Sequence, residues 1–339
     1  MSKKNSIVLN HKNCFAKSER ILDIFKDFKK NILKFRTSKF AVSVSGGPDS
    51  LALAAMCKAL EQENKKKKFF YLNINHGIRK NSLKESKYVK KILNKQHISL
   101  KIVTNKKKIL KNIQHNARQI RYSILCKECK KNRIKLVLTG HHKNDQIETF
   151  LIRLSRGSGV QGLSAMNSLS NLNNNIKIFR PFLSVSKKDL IFIANKVFGT
   201  YIKDPSNNDD KFLRSNVRKL LPILTKHGIS NDQIIKSINN LKSSSKTLNV
   251  YFKEVFKKIV KKNGKKTLLK KRILFSLNED IQLRILGFVI RSLNKSDYPP
   301  RSKKVLNALK FLNKYEDIKY RLGGCLITTR NNYIFVEKS

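Results

Sequence analysis

Between residues 39 and 205, short apolar runs alternate with longer stretches in which apolar residues recur every three or four positions. The runs 39–45, 68–75, 99–104, 134–140, 176–181 and 200–204 predict strands. The periodic stretches 49–63, 82–96, 113–132, 144–156 and 187–198 predict helices. Such alternation builds an α/β fold, a parallel doubly wound sheet with helices on both faces. Functional loops then gather at the carboxyl edge of the strands. Residues 1–36 read as a basic N-terminal extension with one amphipathic helix around Ile21, Leu22, Ile24 and Phe25. After about 215 the pattern turns helical, over 215–226, 232–262, 277–293 and 302–314, with a very basic tract at 257–271. Pro299-Pro300 marks a break, and residues 320–337 alternate like a hairpin across Arg330-Asn331-Asn332. The expected organisation is the extension (1–36), the α/β domain (37–224), a helical basic domain (225–297) and a short, reduced C-terminal α/β piece (298–339).

Composition changes the picture in two ways. A chain of 339 residues with 40% hydrophobic content can bury two or three separate cores. No run reaches the ~18 apolar residues of a membrane span. The N-terminus lacks an apolar signal core, and Glu19, Asp23 and Asp27 argue against an acid-poor transit peptide. Five scattered cysteines fit a reducing compartment better than a disulfide framework. The expected location is therefore cytoplasmic. Charge is the larger signal: 74 Lys and Arg face 22 Asp and Glu, a net +52. That excess points first to a nucleic acid partner, although a Lys-, Asn- and Ile-rich composition of the kind AT-rich coding produces accounts for part of it. With no Trp and 9 Tyr, base stacking falls to Phe and Tyr.

Six blocks carry candidate chemistry. Ser45-Gly46-Gly47-Pro48-Asp49-Ser50 lies between the first strand and the first helix of the alternating region. Glycines there let the backbone approach a phosphate, and helix-start amides point at it. No Gly-Lys-Ser/Thr follows, so it is not a Walker A loop. The bland alternative is a tight βα turn; Asp49, Ser50 and the flanks favour a nucleotide. Asn75 and His76 end the second strand, where an adenine would pack against backbone. Arg118 and Arg121 stand three apart on a helix and suit phosphates or RNA, or only a solvated basic face. In 139–149, Asp145 and Glu148 share a helical face. A capping box, with Asp145 as the cap and Glu148 reaching back, explains the same spacing. The neighbouring His141 and His142 diverge, and no third ligand has convincing spacing for zinc. The glycines of 153–163 make a loop able to close over a substrate. The last block is 203–207 with 212–222, including Arg214 and Arg218.

In this order the six blocks resemble the tRNA(Ile)-lysidine synthases of the PP-loop ATP pyrophosphatase superfamily. The likeness runs from about 39 to 224 and returns weakly at 298–301 and 322–325. It implies an enzyme, an AMP-forming carbon–nitrogen ligase. ATP adenylates the C2 oxygen of the wobble cytidine in an isoleucine tRNA with a CAU anticodon. Free lysine then displaces AMP to give lysidine. By resemblance, Ser45, Gly46, Gly47, Pro48, Asp49, Ser50, Asn75 and His76 bind ATP, and Asp49 holds Mg²⁺. Asp145 and Glu148 recognise L-lysine. Arg118, Arg121, Arg214 and Arg218 contact tRNA. Asp49, Arg118, Asp145 and Glu148 form the catalytic set. A homodimer is compatible with this reading. The chain departs from the family where Asn144 replaces an acid, where Ser215 replaces an asparagine, and in its reduced C-terminal piece. Two rivals remain: a 2-thiocytidine synthetase using Cys126 and Cys129 in an iron–sulfur cluster, and a non-catalytic RNA-binding protein on a degenerate nucleotide fold.

Overall fold

The computed structural model describes residues 15, 18–77, 81–105, 113–173, 175–202, 213–264, 266–294, 296 and 299–339. The chain divides into two compact units, Met1–Leu241 and Lys242–Ser339.

The first unit holds a sheet of β1 (Lys39–Ser43), β2 (Lys68–Asn75), β3 (Leu100–Thr104), β4 (Leu136–Leu138), β5 (Leu169–Asn171) and β6 (Lys177–Phe179). Their order is β3-β2-β1-β4-β6-β5, parallel throughout except for the β5–β6 pair. This is the doubly wound α/β fold that the alternation predicts. Two strand expectations differ. The short polar β5 carries no apolar run to announce it. In 200–204, the described Tyr201 and Ile202 are not strand; the Ile202 amide instead donates to the Gly46 carbonyl at 2.9 Å.

Helices α1 (Glu19–Leu33), α2 (Pro48–Glu63), α3 (Ser82–Asn94), α4 (Ile113–Lys131), α5 (Lys143–Leu154), α6 (Val160–Leu163), α7 (Lys187–Phe198), α8 (Leu213–Lys226) and α9 (Asn231–Ile259) follow in chain order, α9 running across the division. Helix α2 is apolar nearly all round because it lies between the sheet and other helices, with Leu51 to Leu60 buried except Lys58. Its alanines let α7 pack closely on it. Helix α1 buries Ile21, Phe25, Phe28 and Ile32, a stripe at helical spacing, in the same core. Phe28 meets Phe182 at 5.9 Å between ring centres, and Arg20 bonds Asp189 of α7 at 2.9 Å. Ala41, Leu72 and Val137 face the opposite side of the sheet, where Leu125 and Cys129 of α4 cover them.

In the second unit the basic tract expected to be helical is partly β-structure. β7 (Val260–Asn263) and β8 (Lys266–Lys270) flank Gly264, whose φ of +56° suits the turn. Lysines mask a period-2 pattern there, for Thr267 and Leu269 are buried between exposed or half-buried neighbours. With β9 (Lys319–Leu322), β10 (Cys325–Arg330) and β11 (Tyr333–Lys338) they form one antiparallel sheet, ordered β7-β8-β11-β10-β9. The tail strands thus join a larger sheet than the expected hairpin. Helices α10 (Lys271–Phe275), α11 (Glu279–Asn294) and α12 (Ser302–Lys314) complete the unit. Leu269, Ile327, Ile334 and Val336 share a core with Ile285 and Val289 of α11 and Leu309 of α12.

Candidate functional site

The chain winds from β1 toward β3 on one side and from β4 toward β6 on the other. A crevice at the carboxyl ends of β1 and β4 is the consequence of that reversal. The loop 44–47 enters α2 on one side of it, and the loop 139–142 enters α5 on the other.

Gly46 has φ +96°, and a Cβ there would lie 2.4 Å from Val89 Cγ2 and 3.2 Å from Ile202 Cδ1, so only glycine fits. Gly47 precedes Pro48 at the first helical position, a good start because proline has no amide to leave unsatisfied. The Ser50 hydroxyl ties the loop together. It accepts from the Ser45 and Gly46 amides, both at 3.1 Å, and donates to the Gly47 carbonyl at 2.9 Å. An incoming phosphate therefore competes with Ser50 for those amides. Gly140 is the second necessary glycine, and sequence reasoning gave it no role. A Cβ there would lie 2.7 Å from the Asp49 carbonyl oxygen, because the two loops meet backbone to backbone.

His142 begins α5. Its Nδ1 accepts from the Asn144 amide at 3.2 Å, while Asp145 Oδ2 accepts from the His142 amide at 3.0 Å. The capping box is real but stands one turn earlier than expected, with His142 as the cap and Asp145 reaching back. With Nδ1 accepting, the ring proton sits on Nε2, 3.5 Å from Asp49 Oδ2 and 3.6 Å from Asp145 Oδ2. Burial opposes protonation of this ring. The hydrogen bond with Asp49 and the charges of Asp145 and Asp49 outweigh it and raise the pKa above the ordinary value. Asp49 Oδ1 is buried and has no hydrogen-bond partner among the described residues.

Glu148 takes no part in the cap. It is 2% exposed and forms a two-pronged pair with Arg218 of α8, Nε to Oε1 at 2.6 Å and Nη2 to Oε2 at 3.2 Å. Burial pulls the Arg218 pKa down, but Glu148, Asp145 and Asp49 together hold it up. On the other flank, His141 is pushed down to about 4, first by burial and then by Arg180, Arg118 and Arg214, with Asp145 opposing. Arg118 also lies over the Tyr122 ring at 4.9 Å. Arg180 was not anticipated. It is buried, its Nη1 donating to the Asn167 carbonyl and the Ser170 hydroxyl. The only signal for it was a cation inside Ile178-Phe179-Arg180-Pro181-Phe182, at the end of a buried strand.

Asn75, His76 and Arg121 gather elsewhere along the same edge. With Ser45, Asn73 and Glu85 they line a cavity of about 160 Å³ at the end of β2. Asn75 Oδ1 accepts from the Gly77 amide at 3.0 Å. Arg121 Nε donates to His76 Nε2 at 3.1 Å. Burial, followed by the Arg121 charge, lowers His76 to about 4 and keeps it neutral. Arg118 and Arg121 thus share α4 but serve different ends of the edge. The glycine-rich 153–163 segment is folded into a turn and α6, with Arg153 donating to the carbonyls of Gly162 and Ala165 at 2.6 and 2.8 Å. Ile78, Arg79 and the 203–212 block lie outside the described residues. Cys129 is a core residue whose thiol is pushed up to about 12 by burial, with Cys126 and Glu128 adding to the effect. Cys126 takes a contact from Asn173 Nδ2 at 3.1 Å.

Comparison with known proteins bears on this arrangement. The PP-loop domain family matches residues 18–224. The tRNA(Ile)-lysidine synthase of Wolbachia pipientis wMel is 34% identical over 310 residues, covering 90% of this chain and 72% of that protein. The enzyme of the same name from Wolbachia sp. subsp. Brugia malayi (strain TRS) is 32% identical, covering 88% and 70%. That of Orientia tsutsugamushi (strain Boryong) is 41% identical over 186 residues, 54% of this chain and 41% of that protein. Among solved structures, the U34-tRNA thiolase NcsA from Methanococcus maripaludis superposes with a TM-score of 0.55 at 21% identity, over 65% of this chain and 78% of that one. This last likeness concerns the fold.

Proposed function

The chain belongs to the PP-loop family of tRNA(Ile)-lysidine synthases, and on that premise we propose that it joins free lysine to the wobble cytidine of an isoleucine tRNA with a CAU anticodon. The cytidine C2 oxygen attacks the α-phosphorus of ATP, and the α–β anhydride bond breaks to release pyrophosphate. The lysine ε-amine then attacks C2, and AMP leaves with the C2 oxygen. The carrying observation is the crevice itself, where Asp49, Asp145, Glu148 and Arg218 converge beside the Ser45–Ser50 loop.

The loop and the first-turn amides of α2 suit the leaving pyrophosphate. Asp49 Oδ1, a buried oxygen with no donor among the described residues, suits Mg²⁺. Among the described residues no group of three His, Cys, Asp or Glu is placed to hold a metal, so such an ion would complete its shell with phosphate and water. Bound there, Mg²⁺ would neutralise phosphate charge. His142 keeps Asp49 and Asp145 a fixed distance apart. Asp145 and Glu148 recognise the lysine, Glu148 from within its pair with Arg218, and Asp145, the less enclosed carboxylate, is the acceptor for the proton that the attacking ammonium sheds. Arg118 and Arg214 face the RNA, and the cavity at the end of β2, which Arg121 lines, takes the adenine.

The test combines protein, ATP, Mg²⁺, labelled lysine and the unmodified tRNA transcript. Label should enter the tRNA with release of AMP and pyrophosphate; folded protein that leaves the tRNA unlabelled sinks the proposal. Glu148→Gln should lower lysine incorporation by about a hundredfold while pyrophosphate release falls less. Equal loss in both steps would refute the lysine assignment.

A further inference from the structure

The sheet of the second unit is two-faced. Leu269, Ile327, Ile334 and Val336 are buried on one side. On the other, no described strand side chain is buried. Alternation along β11, the central strand, sets Tyr333 and Phe335 on this open face, their ring centres 6.4 Å apart. The register surrounds them. Tyr333 stands between Lys270 and Arg330, and Phe335 between Leu268 and Thr328. Further out, Lys261 pairs with Leu268, Lys319 with Thr328 and Arg321 with Leu326. The one carboxylate among these strand positions, Glu337, is engaged by Lys266 at 3.3 Å. Two adjacent aromatic rings, Tyr333 exposed and Phe335 half-buried, therefore occupy the middle of a sheet face on which no described side chain is buried, rimmed by lysine and arginine.

We propose that this face binds unpaired RNA, with bases stacked on Tyr333 and Phe335 and phosphates held by Lys270, Arg330 and the outer cations. Charge complementarity selects a polyanion. Flat rings on an open sheet select exposed bases rather than a duplex, whose bases are already stacked. The surface is separate from the catalytic proposal, since it requires neither ATP nor lysine, and it gives RNA contact to the C-terminal sheet in addition to the basic helices.

The experiment measures binding of the full chain to a short labelled oligouridylate and to an abasic oligomer of the same length. The parent should bind the base-bearing oligomer about tenfold more tightly. Tyr333→Ala should abolish that preference and Tyr333→Phe should keep it. Tyr333 is 39% exposed, so its truncation leaves the buried face intact. Arg330→Ala should weaken both oligomers alike and reduce the salt slope by about 0.7. Equal affinity of the parent for the two oligomers overturns the proposal. So does a folded Tyr333→Ala protein that retains the preference, or heparin of matched charge competing as well as the oligouridylate does. None of these results touches the lysine-incorporation assay, so the two proposals fail separately.

Discussion

At the scale of single residues, the crevice depends on atoms that must be missing as much as on those present. Gly140→Ala places a methyl group 2.7 Å from the Asp49 carbonyl oxygen. The backbone of α2 must shift, and misplacing reacting groups by about 1 Å costs roughly a hundredfold in rate. Steady-state pyrophosphate release should fall by about that factor, while the circular dichroism spectrum stays that of the parent. Titration gives a second expectation. Burial holds His76 and His141 at about 4, whereas an unfolded histidine titrates near 6.5. Between those values the unfolded chain takes up protons that the folded chain refuses, so stability falls as pH drops from about 6.5 toward 4. His142 acts oppositely: its raised pKa gives stability that is present below the ordinary histidine value and is lost as pH rises through the folded value. Denaturation midpoints across this range should decline less steeply for His141→Asn, and an identical decline would contradict the assignment. Sequence made Asp49 visible through the glycine-rich loop, and Asp145 and Glu148 through their shared helical face and the family resemblance. It did not reveal that His142 lies between two carboxylates, nor did it reveal Arg180. Their partners lie far away in sequence, and only the fold brings them near.

Elements show a different balance of legibility. Helices α7 and α12 are found where periodicity sets them, since each is half-buried and its stripe is clean. β7 and β8 escaped because lysines occupy both faces of a short strand pair, and charge hid the alternation. β5, polar and three residues long, exists only because Arg180 and β6 hold it in place. Helix α1 carries a prediction of its own. Phe28 is 1% exposed among Phe25, Phe182 and the α2 core. Phe28→Ala should cost about 3–5 kcal/mol by lost burial and a residual cavity. Urea unfolding of the first unit would read this directly. A cost below about 1 kcal/mol would mean that α1 is not integral to that core.

For the molecule as a whole, the parallel sheet was readable in advance. Alternation of strand and helix leaves few topologies, and the boundary between the two units falls inside the long helix α9. No described helix is long and apolar enough to cross a membrane. The net charge of +52 makes a prediction at this scale. Affinity for tRNA should fall steeply with salt, with a log–log slope near −0.7 for each unpaired-strand phosphate contacted. A salt-independent affinity, measured by filter retention, would show that the basic surface is coding bias alone. The Gly46 loop adds a consequence for how this chain varies and recombines. Its backbone rests on Val89 from α3 and on Ile202 from beyond α7, so three separated positions form one unit of inheritance. A chimera that grafts β1 and its loop from a relative, with a crossover between residues 50 and 89, imports the loop without its seat. Function is then retained only where the recipient already carries side chains at 89 and 202 that leave the same room.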